Sequence, residues 1–210
     1  MLTWFTFAIA CLALCVSAIT AWLTFFHKGR LVMTQPTTVY FGPDGPSFDG
    51  RNKVYLRTLL YSTAKRGYAL ESLYLSLQRN GTKQNFNVWV CGEKGALDRG
   101  SGLFVPQEGV TLAHHFLLPD DGAIFSFLAG AYTLSVYAKG GGEHKPTELM
   151  TIRLSLSEST AKELLAPNTG LYFDWSHDQQ TYHPHVRTMA RKEANLKNLL
   201  QFIEQENTAD

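Results

Sequence analysis

Hydrophobic and polar positions along the chain fall into three regimes. Residues 2–26 carry no charged side chain at all. From residue 37 to about 156 the dominant pattern is alternation with period two, the mark of strands with one buried face. After residue 156 the pattern loosens, and over 189–205 Leu196, Leu199, Leu200 and Ile203 return at helical spacing.

The alternating region predicts strands at 72–78, where Leu73, Leu75 and Leu77 share a face, and at 85–90, 132–138 and 151–156. Less regular strands are expected at 38–41, 54–61, 103–105 and 110–118. Glycine, proline, asparagine and aspartate clusters separate them, as turns require. Arg79-Asn80-Gly81-Thr82 is the sharpest hairpin signal, because Asn-Gly takes the positive φ angles of a type I′ turn. About eight short strands without long intervening helices predict an antiparallel β-sandwich rather than a parallel α/β layout. Ser157 to Leu165 predicts a short capped helix, stopped by Pro167 and Asn168. The expected organisation is an anchor at 1–26, a linker at 27–36, a β-sandwich domain at 37–187 with the short helix near 158–165, and an amphipathic helix and tail at 188–210.

A span of about 20 apolar residues crosses the hydrocarbon core of a bilayer, and residues 2–26 satisfy that length. Trp4 and Trp22 lie near the two ends, where amphipathic rings favour the headgroup layer, and His27, Lys28 and Arg30 end the run. A cleaved signal peptide is the alternative, with Val16-Ser17-Ala18 as cleavage site. Against it, Met1-Leu2-Thr3 lacks a cation and cleavage would leave an apolar new terminus. A lipoprotein signal at Cys11 or Cys15 fits less well, since Leu14 is bulky and Cys11 comes early. The expectation is therefore a retained single-pass transmembrane helix. Lys28, Arg30, Arg51 and Lys53 follow it closely, so the positive-inside rule predicts a cytoplasmic domain, with a periplasmic one as the alternative.

Composition narrows the function classes. Nineteen Lys and Arg against eighteen Asp and Glu give a net charge of +1 over 210 residues, which excludes nucleic acid as the main partner. Cys91 is the sole thiol outside the anchor, so no disulfide within the domain is expected.

The nine residues Gly130-Ala131-Tyr132-Thr133-Leu134-Ser135-Val136-Tyr137-Ala138 resemble a strand common in immunoglobulin-like and fibronectin-type sandwiches. That resemblance implies an immunoglobulin-like fold, although the Cys-Trp-Cys core of antibody domains is missing. The chain as a whole resembles single-pass bacterial membrane proteins, a likeness that implies no activity.

Candidate chemistry is concentrated in one segment. Asp174, His177, Asp178, His183 and His185 are possible metal ligands, and His183-Pro184-His185 in an extended strand would aim both imidazoles to one side. The competing expectation is packing: Leu171, Phe173 and Trp175 alternate and would bury one strand face. Of His114 and His115 at most one can point inward, where it could form a proton-transfer couple with Asp120 or Asp121. Cys91 has no base nearby in sequence and reads as a packing thiol. Gly140-Gly141-Gly142 followed by Lys145-Pro146 breaks phosphate-loop spacing, and Gly100-Ser101-Gly102 is no nucleophile elbow. Lys65-Arg66 and Arg187, Arg191, Lys192 read first as solvated surface and second as contacts to anionic lipid near the anchor. No catalytic or cofactor-binding residue is nominated and no cofactor is expected. The expected function is a binding module tethered to the membrane through residues 2–26 and contacting another protein. The alternative is a metal-binding protein or metal-dependent enzyme centred on residues 174–185.

Overall fold

The structure is a computed structural model, described here over residues 2–43, 52–93, 96–119 and 125–188. An apolar helix, α1 (Leu2–Ala21), continues into a π-helical turn over Trp22–Phe26. Its few polar side chains turn back on the helix itself: the Ser17 hydroxyl donates to the Ala13 carbonyl at 2.9 Å, and Thr20 to Val16 at 2.8 Å. Such pairing removes free hydroxyls from the helix surface, as a lipid-facing helix needs. The apolar helical stretch Thr3–Phe26 has 24 residues, is long enough to cross a bilayer, and has none of its surface buried by the rest of the chain.

The remainder is mainly β. In chain order the strands are β1 (Leu31–Met33), β2 (Thr38–Pro43), β3 (Asn52–Ser62), β4 (Tyr68–Arg79), β5 (Thr82–Phe86), β6 (Val88–Glu93) and β7 (Ala96–Arg99). There follow β8 (Leu103–Val105), β9 (Val110–Leu117), β10 (Gly130–Gly140), β11 (Thr147–Leu156), β12 (Thr169–Ser176) and β13 (Thr181–Thr188). One sheet runs β13-β12-β2-β3-β9-β6-β7, with β1 also paired to β3; the other runs β11-β10-β4-β5, with β8 on β4. All the pairings are antiparallel.

Alternation decides which face each strand buries. Val54, Leu56 and Leu60 of β3, Leu73, Leu75 and Leu77 of β4, and Leu134 and Val136 of β10 join one buried cluster between the two sheets. The three leucines expected to share a face do so. Asn80 and Gly81 both take positive φ (47° and 82°), and Arg79 pairs with Thr82, so the two-residue loop is the expected type I′ turn. The short helix also forms, as α2 (Glu158–Glu163), with the Ser157 hydroxyl accepting from the Thr160 N–H at 3.1 Å.

Two sequence expectations change. The run 85–90 is two strands, because the chain crosses between sheets at Asn87: β5 pairs with β4, and β6 with β9. Phe86 and Trp89 are both buried, an odd spacing that a single strand would send to opposite faces. Residues 31–33, expected in a linker, form β1 against the end of β3. Residues 171–186, read as alternating on one strand face, form a hairpin that extends the larger sheet. The expected C-terminal amphipathic helix lies outside the described residues.

Strand directions define two ends of the β domain. The turns 63–67, 106–109 and 140–146 gather at the end from which α1 departs. Residues 125–129 and α2 lie at the opposite end. Because α1 buries nothing on the sheets, removing residues 1–26 is expected to leave a soluble 27–210 fragment with one cooperative thermal transition. An aggregated fragment without such a transition would show that the β domain depends on α1.

Candidate functional sites

The hairpin β12–β13 carries the proposed metal ligands and sorts them by parity. Leu171 and Phe173 face the core, each 0% exposed, and Tyr182 and half-buried Trp175 pack beside them, their rings tilted 58° at 4.9 Å between centroids. Tyr172, Asp174, His183 and His185 therefore share the outer face, since Tyr172 pairs with His185 and Asp174 with His183. The two imidazoles of His183-Pro184-His185 do fall on one side, as the spacing requires. Their environment is already occupied, however. His185 stacks on Tyr172 at 5.5 Å with 15° between rings, Arg187 covers the same Tyr172 at 5.3 Å, and Tyr40 closes its other flank at 4.9 Å.

Asp174 is held on both oxygens. Thr38 donates to Oδ1 at 2.9 Å, and His185 Nδ1 lies 3.4 Å from Oδ2. His177 and Asp178 sit in the turn instead, where Gln180 (φ 51°) donates to the His177 carbonyl at 2.7 Å. The Ser176 hydroxyl donates to Asp178 and holds that carboxylate below its ordinary range. Among the described residues, no three His, Cys, Asp or Glu side chains converge into a group that could hold a metal ion. What Asp174 and His185 can do is pair with each other across the hairpin.

Register brings together a second set that sequence spacing could not. His114 on β9 stands opposite Cys91 on β6, with Trp89 and Phe116 the next pair on the same face. His114 is fully buried and His115 half-buried, so only one of the two points inward, as expected. The indole N–H of Trp89 donates to His114 Nδ1 at 3.1 Å, which assigns the proton of the neutral ring to Nε2. That Nε2 is buried without a hydrogen-bond partner among the described residues. Burial, with a smaller contribution from His115, pushes the His114 pKa down to about 4. The Cys91 thiol is pushed up, by burial first and the Asp98 charge second. A nucleophilic cysteine needs the opposite shift and a basic partner, so this pair is chemically quiet. Asp120 and Asp121, the proposed proton partners, lie outside the described residues. His115 meets Lys53 at 3.0 Å and Tyr55 edge-on at 4.9 Å.

A cavity of about 310 Å³ opens at the end of the β domain away from α1, between Phe127, Leu128, the α2 residue Ala161, and Leu164 and Leu165 just after α2. Leu165 and Leu128 are 80% and 50% exposed at its rim, with Glu158 and Lys162 beside them. Sequence reading missed it because residues 125–129 and α2 are far apart in the chain and neither is amphipathic enough to stand out. Compared with known protein families, with curated proteins and with solved structures, the chain shows no match.

Two outcomes follow for stability. Phe173→Ala, removing a fully buried ring, should cost about 3–5 kcal/mol, Trp175→Ala less because Trp175 is only half-buried, and His183→Ala within about 0.5 kcal/mol. Denaturant melts of the three variants check that ranking; a costly His183→Ala relieved by added metal would reverse it. His114 supplies a pH dependence. Its folded pKa of about 4 lies below the unfolded 6.5, so the unfolded chain binds the extra proton first. The His114 contribution is therefore intact above pH 6.5 and is lost as pH falls toward 4, by roughly 3 kcal/mol in all. Melting of His114→Gln, whose amide oxygen can still accept from Trp89, should vary less over that window than melting of the native chain.

Proposed function

We propose that the chain is a membrane-tethered binding module, with α1 as a retained anchor and an immunoglobulin-like β domain held at the cytoplasmic face. The observation that carries this reading is the apolar helix over Thr3–Phe26, unburied along its length and followed after only four residues by β1 of the larger sheet. A helix with that much exposed apolar surface needs an apolar environment, and so short a connection holds the domain close to it. The two antiparallel sheets and the Gly130-Ala131-Tyr132 strand support the immunoglobulin-like description. The partner surface on this reading is the cavity beside Leu128 and Leu165, which fits an apolar side chain of another protein flanked by groups complementary to Glu158 and Lys162.

Membranes carrying the full chain should retain it through alkaline carbonate washing, and protease outside intact cells should leave the β domain uncut. Release by carbonate, or digestion from outside, contradicts the anchor or the orientation respectively. A metal-binding reading has one contact in its favour, the 3.4 Å approach of His185 to Asp174. Elemental analysis of the purified chain tests it: a stoichiometric ion lost on His183→Ala would favour it over the binding module.

A further inference from the structure

The end of the β domain beside α1 is built differently from the rest of the surface. Leaving the helix, the backbone docks at once on the β3–β4 turn. The Arg30 N–H donates to the Thr63 hydroxyl at 2.8 Å, and the Thr63 N–H returns to the Arg30 carbonyl at 3.0 Å. Gly29 lies so close to Ala64 that a Cβ there would stand 2.4 Å from its backbone nitrogen. Only glycine permits that approach. The turn is itself fixed, by Gly67 (φ +72°) donating to the Ala64 carbonyl at 3.0 Å. Lys65 and Arg66 are thereby brought beside Lys28 and Arg30, although more than thirty residues separate the two pairs in sequence.

Between these segments and the β10–β11 turn lies a cavity of about 150 Å³, lined by Lys28, Arg66, Tyr68, Gly141, Gly142 and Glu143. Its two cations form no ion pair with another described residue. Gly142 (φ +81°) has open space where a side chain would be, so one wall is bare backbone. The one acidic wall residue is engaged: Tyr68 donates its hydroxyl to Glu143 Oε1 at 2.8 Å, and burial first, then this bond to Glu143, raises the tyrosine pKa to about 12. The segments 27–30, 63–67, 106–109 and 140–146 together carry Lys28, Arg30, Lys65, Arg66 and Lys145 against the two carboxylates Glu108 and Glu143, with His27 and His144 among them.

We propose that this cavity binds a phosphate group, that of an anionic phospholipid headgroup, between Lys28 and Arg66. The inference rests on the membrane-tether reading, which sets Lys28 two residues beyond the apolar helix and therefore at headgroup depth. A point-charge lysine and a forked guanidinium that both line a small open cavity suit a tetrahedral anion. The pinned turn holds Arg66 there without the entropy cost of ordering a free loop. The remaining cations of this end add long-range attraction to an anionic leaflet.

The test uses the full chain in micelles containing equal amounts of phosphatidylglycerol and phosphatidylcholine, with native mass spectrometry reading the retained lipid. The native chain should retain phosphatidylglycerol in preference. Lys28→Gln with Arg66→Gln should reduce that preference roughly 25-fold, about fivefold per cation. Exchanging the cations, Lys28→Arg with Arg66→Lys, should preserve it, and Glu143→Gln should strengthen it. Should the neutral double variant fail to fold, the latter two variants carry the test. An unchanged preference in the double variant, or none in the native chain, overturns the proposal while leaving a carbonate-resistant anchor standing. Displacement of the lipid by millimolar inorganic phosphate would reassign the cavity to a soluble phosphate. Loss of the chain on carbonate washing would instead remove the tether on which lipid as the source depends.

Discussion

The larger sheet is registered against one strand. β3 carries β9 along one edge, and β2 and then β1 along the other. Its inward residues Val54, Leu56 and Leu60 are 0% exposed. A slip of one residue in any of these pairings would turn a buried face outward and lose several side chains from the core at once. Each buried aliphatic contributes roughly 1.5–3 kcal/mol over leaving it in water, so the register is strongly specified. Through β2, the same constraint fixes β12 and β13, and through β9 it sets His114 opposite Cys91. The placement of every candidate site on this sheet follows from β3.

The outer face of that sheet shows how such register makes local chemistry. His185, Tyr172, Tyr40, Tyr55 and His115 stand on successive strands as one cross-strand row. Tyr40 lies over Gly42 and Gly170, where any Cβ would strike its ring within 3 Å. Its hydroxyl donates to the Pro43 carbonyl at 2.9 Å. Arg187 and Lys53 approach the row as cations over Tyr172 and Tyr40. Of the histidines that looked like ligands, His185 is a member of this row, and His115 is the row's other imidazole. Their nitrogens are oriented by stacking and by Asp174 and Lys53, and the hairpin's attachment comes from Leu171 and Phe173 beneath.

Local signals in the sequence carried most of the strands. Leu73, Leu75 and Leu77 announce β4, and Asn80-Gly81 announces its hairpin, because alternation and positive φ are properties of neighbouring residues. The break at Asn87 was also present, in the odd spacing of Phe86 and Trp89, but alternation continues across it and conceals the change of sheet. β1 and β7 are too short to show a period. The contacts that make sites were not legible, since they depend on non-local pairing: Cys91 with His114, Gly29 on Ala64, residues 125–129 against α2. The parity of His183 and His185 could be read in advance, whereas Tyr172 as the stacking partner of His185 could not.

On the membrane-tether reading the 63–67 turn lies against the headgroups and α2 at the far end of strands such as β10, whose 11 residues span about 36 Å. Spin labels on the full chain in vesicles measure that arrangement directly, one at Arg66→Cys and one at Leu165→Cys, with Cys11, Cys15 and Cys91 replaced by serine. Relaxation by a lipid-headgroup nickel chelate should be strong for the label at 66 and weak for the label at 165. Equal relaxation of the two, or the reverse order, would contradict a β domain standing on its α1 end at the membrane.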